Sequence, residues 1–150
     1  MQAKRGMAAE ETEAYLVRLF RQMETSFPDA LVTNWESLID AVHLPDPGDR
    51  HVVAAARAGR AHVIVTDNVA DFPPSALPGP LIRKSLDEFL LGSLDLYPGQ
   101  VISAVHAVAR RTGRSGPAMT ARDIAAYLQA RGMPAFGERL LANLDQPGRT

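Results

Sequence analysis

The chain has 150 residues, a formal net charge of -1 and 46% hydrophobic residues, which is typical of one folded domain rather than a disordered chain. This charge balance gives no global attraction to polyanions, and the absence of cysteine excludes a disulfide framework, a thiolate zinc site and a cysteine nucleophile. No apolar run reaches the roughly 20 residues that span a bilayer. We therefore expect a cytoplasmic protein with no membrane partner.

The first third is predicted to begin with an amphipathic helix over residues 9 to 27. Its apolar residues recur at spacings of three and four, and glutamates occupy its first turn, where the helix dipole favours anions. Pro28 ends this helix. Residues 30 to 33 are short, apolar and rich in strand formers, so they predict a brief strand, and residues 35 to 42 predict a loop or short helix.

The central segment predicts one helix followed by one strand. Small residues after Arg50 favour a closely packed helix that Gly59 closes, with Asp49 at its N-cap or first turn. Residues 61 to 66 are apolar and β-branched, the pattern of a strand buried on both faces of a parallel sheet. A loop rich in Asp, Asn and Pro follows. This order predicts an α/β fold whose ligands lie at the carboxyl end of the strand.

The C-terminal part is predicted to be mostly helical after a further short strand at Leu81 and Ile82. Ser85 starts a helix as the first residue of a capping box that Glu88 completes. The next helix covers residues 98 to 111 and has a predicted inward stripe of Val101, Ile102, Val105, Val108 and Ala109. Thr120 and Asp123 cap a helix through residue 131, Pro134 starts the last one, and the final residues predict a frayed tail.

Three aspartates flank the central helix and strand. Asp49 precedes the helix, whereas Asp67 and Asp71 follow the strand, so an antiparallel helix beside its strand would bring them to one rim of the sheet. Converging carboxylates raise one another's pKa unless a cation neutralises them, and a hard divalent ion such as Mg²⁺ suits an all-oxygen cluster. The alternative stays open, because aspartates are common helix caps and turn formers.

The histidine and arginines of this segment could bind a metal or phosphates, or could have only a structural role. His51 shares a helix turn with Asp49, but no second histidine lies at metal-ligand spacing from it. Arg50, Arg57 and Arg60 are candidates to contact phosphates, although three arginines on one face also describe a solvated surface.

Two motifs in this segment resemble a known family. PDPGDRHVVAAA at residues 45 to 56, followed by VIVTDNVADF at residues 63 to 72, is similar to the pattern PDPxDRHVxAAA and VTxNxxDF of one branch of the PIN-domain family, the VapC-like ribonuclease toxins. The order of the motifs and their spacing by one helix and one strand carry the resemblance.

The resemblance implies a parallel sheet between helices and a metal-dependent endoribonuclease, the toxin of a toxin-antitoxin pair. It implies Mg²⁺ or Mn²⁺ as cofactor, RNA as substrate, an antitoxin partner and a homo-oligomer. Asp49, Asp67 and Asp71 are the implied catalytic and metal-binding residues. Thr66, Asn68 and Asp46 support them, and Arg50 and Arg57 are the candidates for RNA phosphates.

Family members begin with a strand bearing an aspartate and carry a glutamate on a later helix, and this chain shows neither before residue 9. We therefore expect an N-terminally truncated PIN-like domain over residues 1 to 96, a helical extension over 97 to 145 and a tail over 146 to 150. With half the acidic ligands missing, weak or absent nuclease activity is expected. The alternative is a non-catalytic PIN remnant that binds a partner chain through Phe20, Trp35, Phe89 or neighbouring apolar residues.

Overall fold

The structure is a computed structural model that describes residues 9–114 and 116–145. The tail predicted over residues 146 to 150 lies outside the described residues. The chain divides into two units, residues 1–43 with 48–61 and residues 44–47 with 62–150.

The first unit is helical in its described part. Helix α1 covers Ala9–Ser26 and contacts the 3-10 turn Pro28–Ala30 that follows it. Helix α2 covers Arg50–Ala58 and packs on the 3-10 helix Glu36–Ala41. The strand predicted for residues 30 to 33 was wrong: the 3-10 turn is followed by chain without strand structure. A short apolar run becomes a strand only where a neighbouring strand takes up its backbone hydrogen bonds.

The sheet belongs to the second unit. Strand β1 is Val63–Val65 and strand β2 is Ile82–Lys84; they run parallel, with Val63 opposite Ile82. Ile64 is buried but Val65 is 40% exposed, so the prediction of a strand buried on both faces was wrong. Successive side chains of a strand point to opposite faces, and the core covers one of them. The α/β class with a parallel sheet among helices is confirmed.

Four helices complete the second unit: α3 (Leu86–Leu96), α4 (Pro98–Arg111), α5 (Ala121–Gln129) and α6 (Pro134–Leu144). Capping boxes start α3 and α5 as predicted, because each needs only a hydroxyl and a carboxylate three residues apart. Gly132 turns the chain between α5 and α6 at φ 94°, a conformation that costs side-chain-bearing residues about 1 kcal/mol or more.

These four helices enclose one apolar core. Its buried members are Leu94, Val105, Ala121, Ile124, Ala125, Met133, Phe136 and Leu140. Val108, predicted to face inward from α4, is 49% exposed, because the neighbouring helices cover a narrower stripe than the sequence spacing suggests. The domain boundary at residue 96 stays a prediction. Among the described helices, none is both long and apolar enough to cross a membrane.

Candidate metal centre

The loop that follows β1 is held by short-range hydrogen bonds. The Asn68 N–H donates to the Thr66 Oγ1 at 3.1 Å, and the Val69 N–H donates to the Asp67 carbonyl at 3.0 Å. The Thr66 N–H donates to the Lys84 carbonyl at 2.9 Å, which extends the pairing of β1 with β2 by one residue. The loop is therefore anchored to the sheet at its start.

The side chain of Asn68 orients Asp71. Its Nδ2 donates to the Asp71 Oδ2 at 2.7 Å, and its Oδ1 accepts the Asp71 N–H at 3.4 Å. A carboxylate oxygen has lone pairs beyond the one that this amide engages. Asn68 therefore fixes the direction of the Asp71 carboxylate, as outer-shell residues do for the ligands of a metal site. Asp71 keeps oxygen lone pairs for a cation.

Asp46 and Asp71, both in the second unit, lie close together. Each offers a carboxylate oxygen, and these two oxygens are within 4.8 Å of one another although 25 positions separate the residues in sequence. Asp46 is exposed and Asp71 is half-buried. Oxygen donors at this separation, open to water, fit a hard divalent ion that keeps several waters, as Mg²⁺ does at about 2.1 Å from each oxygen. The donor set therefore fits the implied cofactor.

Asp49 stands one turn along the chain from Asp46, at the end of the 3-10 turn Pro47–Asp49 and directly before α2. It occupies the N-cap position, but its side chain makes no capping hydrogen bond and its backbone is helical, at φ -89° and ψ -4°. N-cap residues normally have extended backbone and a side chain that accepts from the second or third helical N–H. The capping alternative does not account for this carboxylate.

Asp67 has a different position from Asp71. Its Oδ1 accepts the N–H of Leu86, the first residue of α3, at 3.2 Å. That N–H is one of the helix-start donors that have no partner inside the helix. The carboxylate of Asp67 therefore stabilises the start of α3, as the turn-and-cap alternative expects, and its predicted role as a metal ligand stays a prediction.

His51 has structural contacts in the first unit. Its Nδ1 pairs with the Gly48 carbonyl at 2.7 Å, and its ring lies 6.2 Å from the ring of Trp35, tilted by 53°. An Nδ1 bonded to a carbonyl carries the ring proton, which leaves Nε2 as the acceptor. These contacts explain the histidine without a metal.

The two arginines predicted to contact RNA phosphates lie on α2 and differ in exposure. Arg57 is exposed, whereas Arg50 is half-buried and its Nε–H is buried without an acceptor among the described residues. Contact of either guanidinium with phosphate stays a prediction.

Sequence reasoning gave Asp46 only a supporting role. A sequence signal for Asp46 was present, since it lies between Pro45 and Pro47 and three residues before Asp49. The contact with Asp71 depends on the path of the chain through β1, which no local pattern contains.

Comparison with known proteins agrees with the motifs. The VapC50 C-terminal domain family matches residues 86–142, which cover α3 to most of α6. The chain is also 47% identical over 79 residues to a protein of Mycobacterium tuberculosis (strain ATCC 25618 / H37Rv) named "Putative ribonuclease VapC50". Over part of its length the chain is therefore similar to a VapC-like protein.

The coverage of this match is partial. The alignment takes in 49% of this chain and 46% of the relative, so the chain spans about half the length of the curated relative that it matches. No solved structure matches the chain. The residues that match the VapC50 C-terminal domain, 86–142, overlap most of the helical extension predicted over residues 97 to 145.

Proposed function

We propose that this VapC-like chain provides ligands of a divalent-metal-dependent endoribonuclease, the toxin of a toxin-antitoxin pair. The observation that carries the proposal is the proximity of the Asp46 and Asp71 carboxylates, with Asp71 oriented by Asn68. The relative's name supports ribonuclease chemistry. Mg²⁺ or Mn²⁺ held here would activate a water and neutralise charge on the phosphate that the water attacks.

The residues divide into holding and positioning roles. Asp71 and Asp46 hold the cation, and the motif pattern implicates Asp49 as a further acidic residue. Asn68 fixes the direction of the Asp71 carboxylate through the 2.7 Å hydrogen bond. Asp67 ties the loop to α3. Arg57 and Arg50 on α2 are the proposed contacts to RNA phosphates.

A Mn²⁺ titration followed by thermal unfolding tests the metal site. At free Mn²⁺ 100 times its dissociation constant, binding adds about 2.7 kcal/mol of stability, which raises the Tm of a chain of this length by roughly 5 to 10 °C. Asp71→Asn and Asp46→Asn should lose most of that rise. Glu138→Gln, which removes the same charge from the exposed face of α6, should keep it.

Three outcomes contradict the site. They are no Mn²⁺ stabilisation of the parent chain, an undiminished rise in Asp71→Asn, or an equal loss in Glu138→Gln.

Cleavage is tested with a labelled RNA in the presence of Mn²⁺. Any cleavage should disappear in Asp49→Asn and Asp71→Asn. Strong cleavage that survives Asp49→Asn would overturn the assignment of this acidic set.

A second candidate function, as a protein-interaction module, is favoured by α1. Leu19 is its most protected described side chain, while Phe20, Phe27 and Leu31 are at least 60% exposed. Phe20 and Phe27 also line a groove of about 160 Å³ with Met23. Apolar surfaces of this kind mark interaction sites. The ring of Trp35, also predicted to bind a partner, lies 6.2 Å from that of His51, and its contact with a partner stays a prediction.

Sedimentation velocity over a range of concentrations tests this candidate for the expected homo-oligomer. Association should be lost in Phe20→Ser with Phe27→Ser and retained in Tyr127→Ser, which changes an exposed aromatic residue of α5. A monomeric parent chain at all concentrations would contradict self-association through α1.

A further inference from the structure

An acid-free segment surrounds α4. Asp95 and Asp123 are consecutive acidic residues of the sequence, and the 27 residues between them include four arginines. An even spread of the chain's 17 acidic residues would place about three in that interval. The chain is near neutral overall, so this segment is a local excess of positive charge.

The polar side of α4 presents part of this excess to solvent. Val101, Ile102 and Val105 face the apolar core. The opposite side carries exposed residues at helical spacing, and the arginines continue past the helix end. We call these residues the basic face: Gln100, Ser103, His106, Arg110, Arg111 and Arg114.

The arginines of the basic face differ from the other arginines in and between the last three helices. Arg122 pairs with Asp145, Arg139 donates to Asp95 at 2.8 Å, and Arg131 lies over the Tyr127 ring at 4.8 Å. In the part of the chain that the structure describes, Arg110, Arg111 and Arg114 have no ion pair or ring contact.

The helix dipole accounts for only part of the basic face. Cations in the last turn of a helix are favourable, and Arg110 and Arg111 lie in the last turn of α4. The dipole effect fades within one turn, whereas Arg114 lies three residues beyond the helix. The dipole also gives no reason for acidic residues to be missing upstream, around Gln100 and Ser103.

An extended polyanion fits this surface. Gln100 to Arg111 spans about 16 Å along the helix axis, a length that several consecutive phosphates of a single strand can follow. Exposed hydroxyl, amide and guanidinium groups are the usual contacts to phosphate and sugar. A lipid surface fits less well, because interfacial helices insert their apolar side, and that side of α4 is buried in the core.

We propose that the basic face binds the sugar-phosphate backbone of single-stranded RNA, outside the acidic site. This inference rests on the proposed function, which makes RNA the substrate, and it adds a metal-independent binding surface on the helical part of the chain. The surface reads no bases, since phosphate contacts carry no sequence information.

Fluorescence anisotropy with a fluorescein-labelled single-stranded RNA of 12 nucleotides tests the basic face. The whole chain is used in EDTA, so that no metal takes part. Arg110→Gln, Arg111→Gln and Arg114→Gln are combined in one variant. The matched control combines Arg122→Gln, Arg131→Gln and Arg139→Gln, which removes the same charge from α5, α6 and the turn between them. Circular dichroism verifies that both variants are folded.

Each phosphate contact to a single strand contributes about 0.7 to the slope of log affinity against log salt, or roughly fourfold in affinity at 0.15 M salt. The basic-face variant should therefore bind about 50-fold more weakly, with the slope reduced by about 2. Replacing the same three arginines by lysine should restore most of the affinity, because an ammonium also contacts phosphate as a point charge.

Unchanged RNA affinity in the basic-face variant overturns the inference, as does an equal loss in the control variant. Binding to vesicles of phosphatidylserine and phosphatidylcholine, with none to RNA, overturns it as well. The stated losses of RNA binding with no Mn²⁺ stabilisation would leave the basic face standing and refute the proposed function. Mn²⁺ stabilisation together with RNA binding that does not depend on these arginines would support the proposed function and refute the basic face.

Discussion

Replacing Gly137 by alanine sets two opposed effects against each other in α6. Alanine in the interior of a helix is favoured over glycine by about 1 kcal/mol. At this buried position, however, the added methyl group would lie 2.7 Å from the Gln129 Cβ and 2.9 Å from the Ala125 carbonyl oxygen. Real Cβ atoms do not approach other atoms so closely, and one of these neighbours is backbone of α5.

The packing effect should win. Relief requires α5 and α6 to move apart where Ala125 and Leu140 are fully buried, and overpacking of such contacts costs about 1 to 3 kcal/mol or more. After the gain in helix propensity, Gly137→Ala should lower the free energy of unfolding by about 1 to 2 kcal/mol. Tm should fall by roughly 3 to 6 °C for a chain of this length.

Gly99→Ala is the matched control. Gly99 lies in the first turn of α4, and nothing would lie within 4 Å of its added methyl group. Restricting the unfolded chain without a clash stabilises by up to about 1 kcal/mol. Urea unfolding followed by far-ultraviolet circular dichroism measures both variants. A Gly137→Ala protein as stable as the parent would show that the close approach of α5 and α6 has been misjudged.

Two further predictions concern carboxylates at helix starts. Asp87→Ala should lower the free energy of unfolding by about 2 kcal/mol, measured by urea unfolding. Asp87 accepts hydrogen bonds from the N–H groups of Ala135 and Phe136 at 3.1 and 2.8 Å, and no N-cap side chain of α6 itself does so. A loss no greater than that of Glu138→Gln would refute this role. Hydrogen bonds from the Ser85 backbone N–H, and to a lesser extent from its hydroxyl, lower the pKa of Glu88 below its ordinary 4.5. Hydrogen bonds from the Thr120 backbone N–H, and to a lesser extent from its hydroxyl, lower the pKa of Asp123 below its ordinary 3.8. Since both values are depressed on folding, their stabilisation is complete above about pH 5 and disappears as the pH falls through the folded values. Thermal unfolding between pH 3 and pH 6 should show a Ser85→Ala, Thr120→Ala variant losing less Tm on acidification than the parent, and equal losses would contradict it.

Features that depend on residues close together in sequence could be predicted from the sequence. The capping boxes of Ser85 and Thr120 were predictable because donor and acceptor are three residues apart. The order of α2, β1 and the acidic loop followed from periodicity and composition. These are the features that one segment determines by itself.

The failures all depend on distant partners. Residues 30 to 33 have strand-forming side chains but no strand beside them, and Val108 fits the helical period but lies outside the covered stripe. Asp87 gave no signal as the cap of α6, since its acceptors serve N–H groups 48 and 49 residues away. The proximity of Asp46 to Asp71 had no local signal for the same reason, because Asp71 comes near it only through the folded chain.

The hydrogen bond from the Leu86 N–H to Asp67 joins the acidic loop to the first residue of the region that matches the VapC50 C-terminal domain. If the loop swings away, the start of α3 loses one acceptor, and if α3 frays, the loop loses its anchor. In native-state hydrogen exchange the two segments should open as a single cooperative event. A cation bound at Asp71 would then slow hydrogen exchange of the first amides of α3. The exchange rate of these amides would therefore report cation binding in the loop.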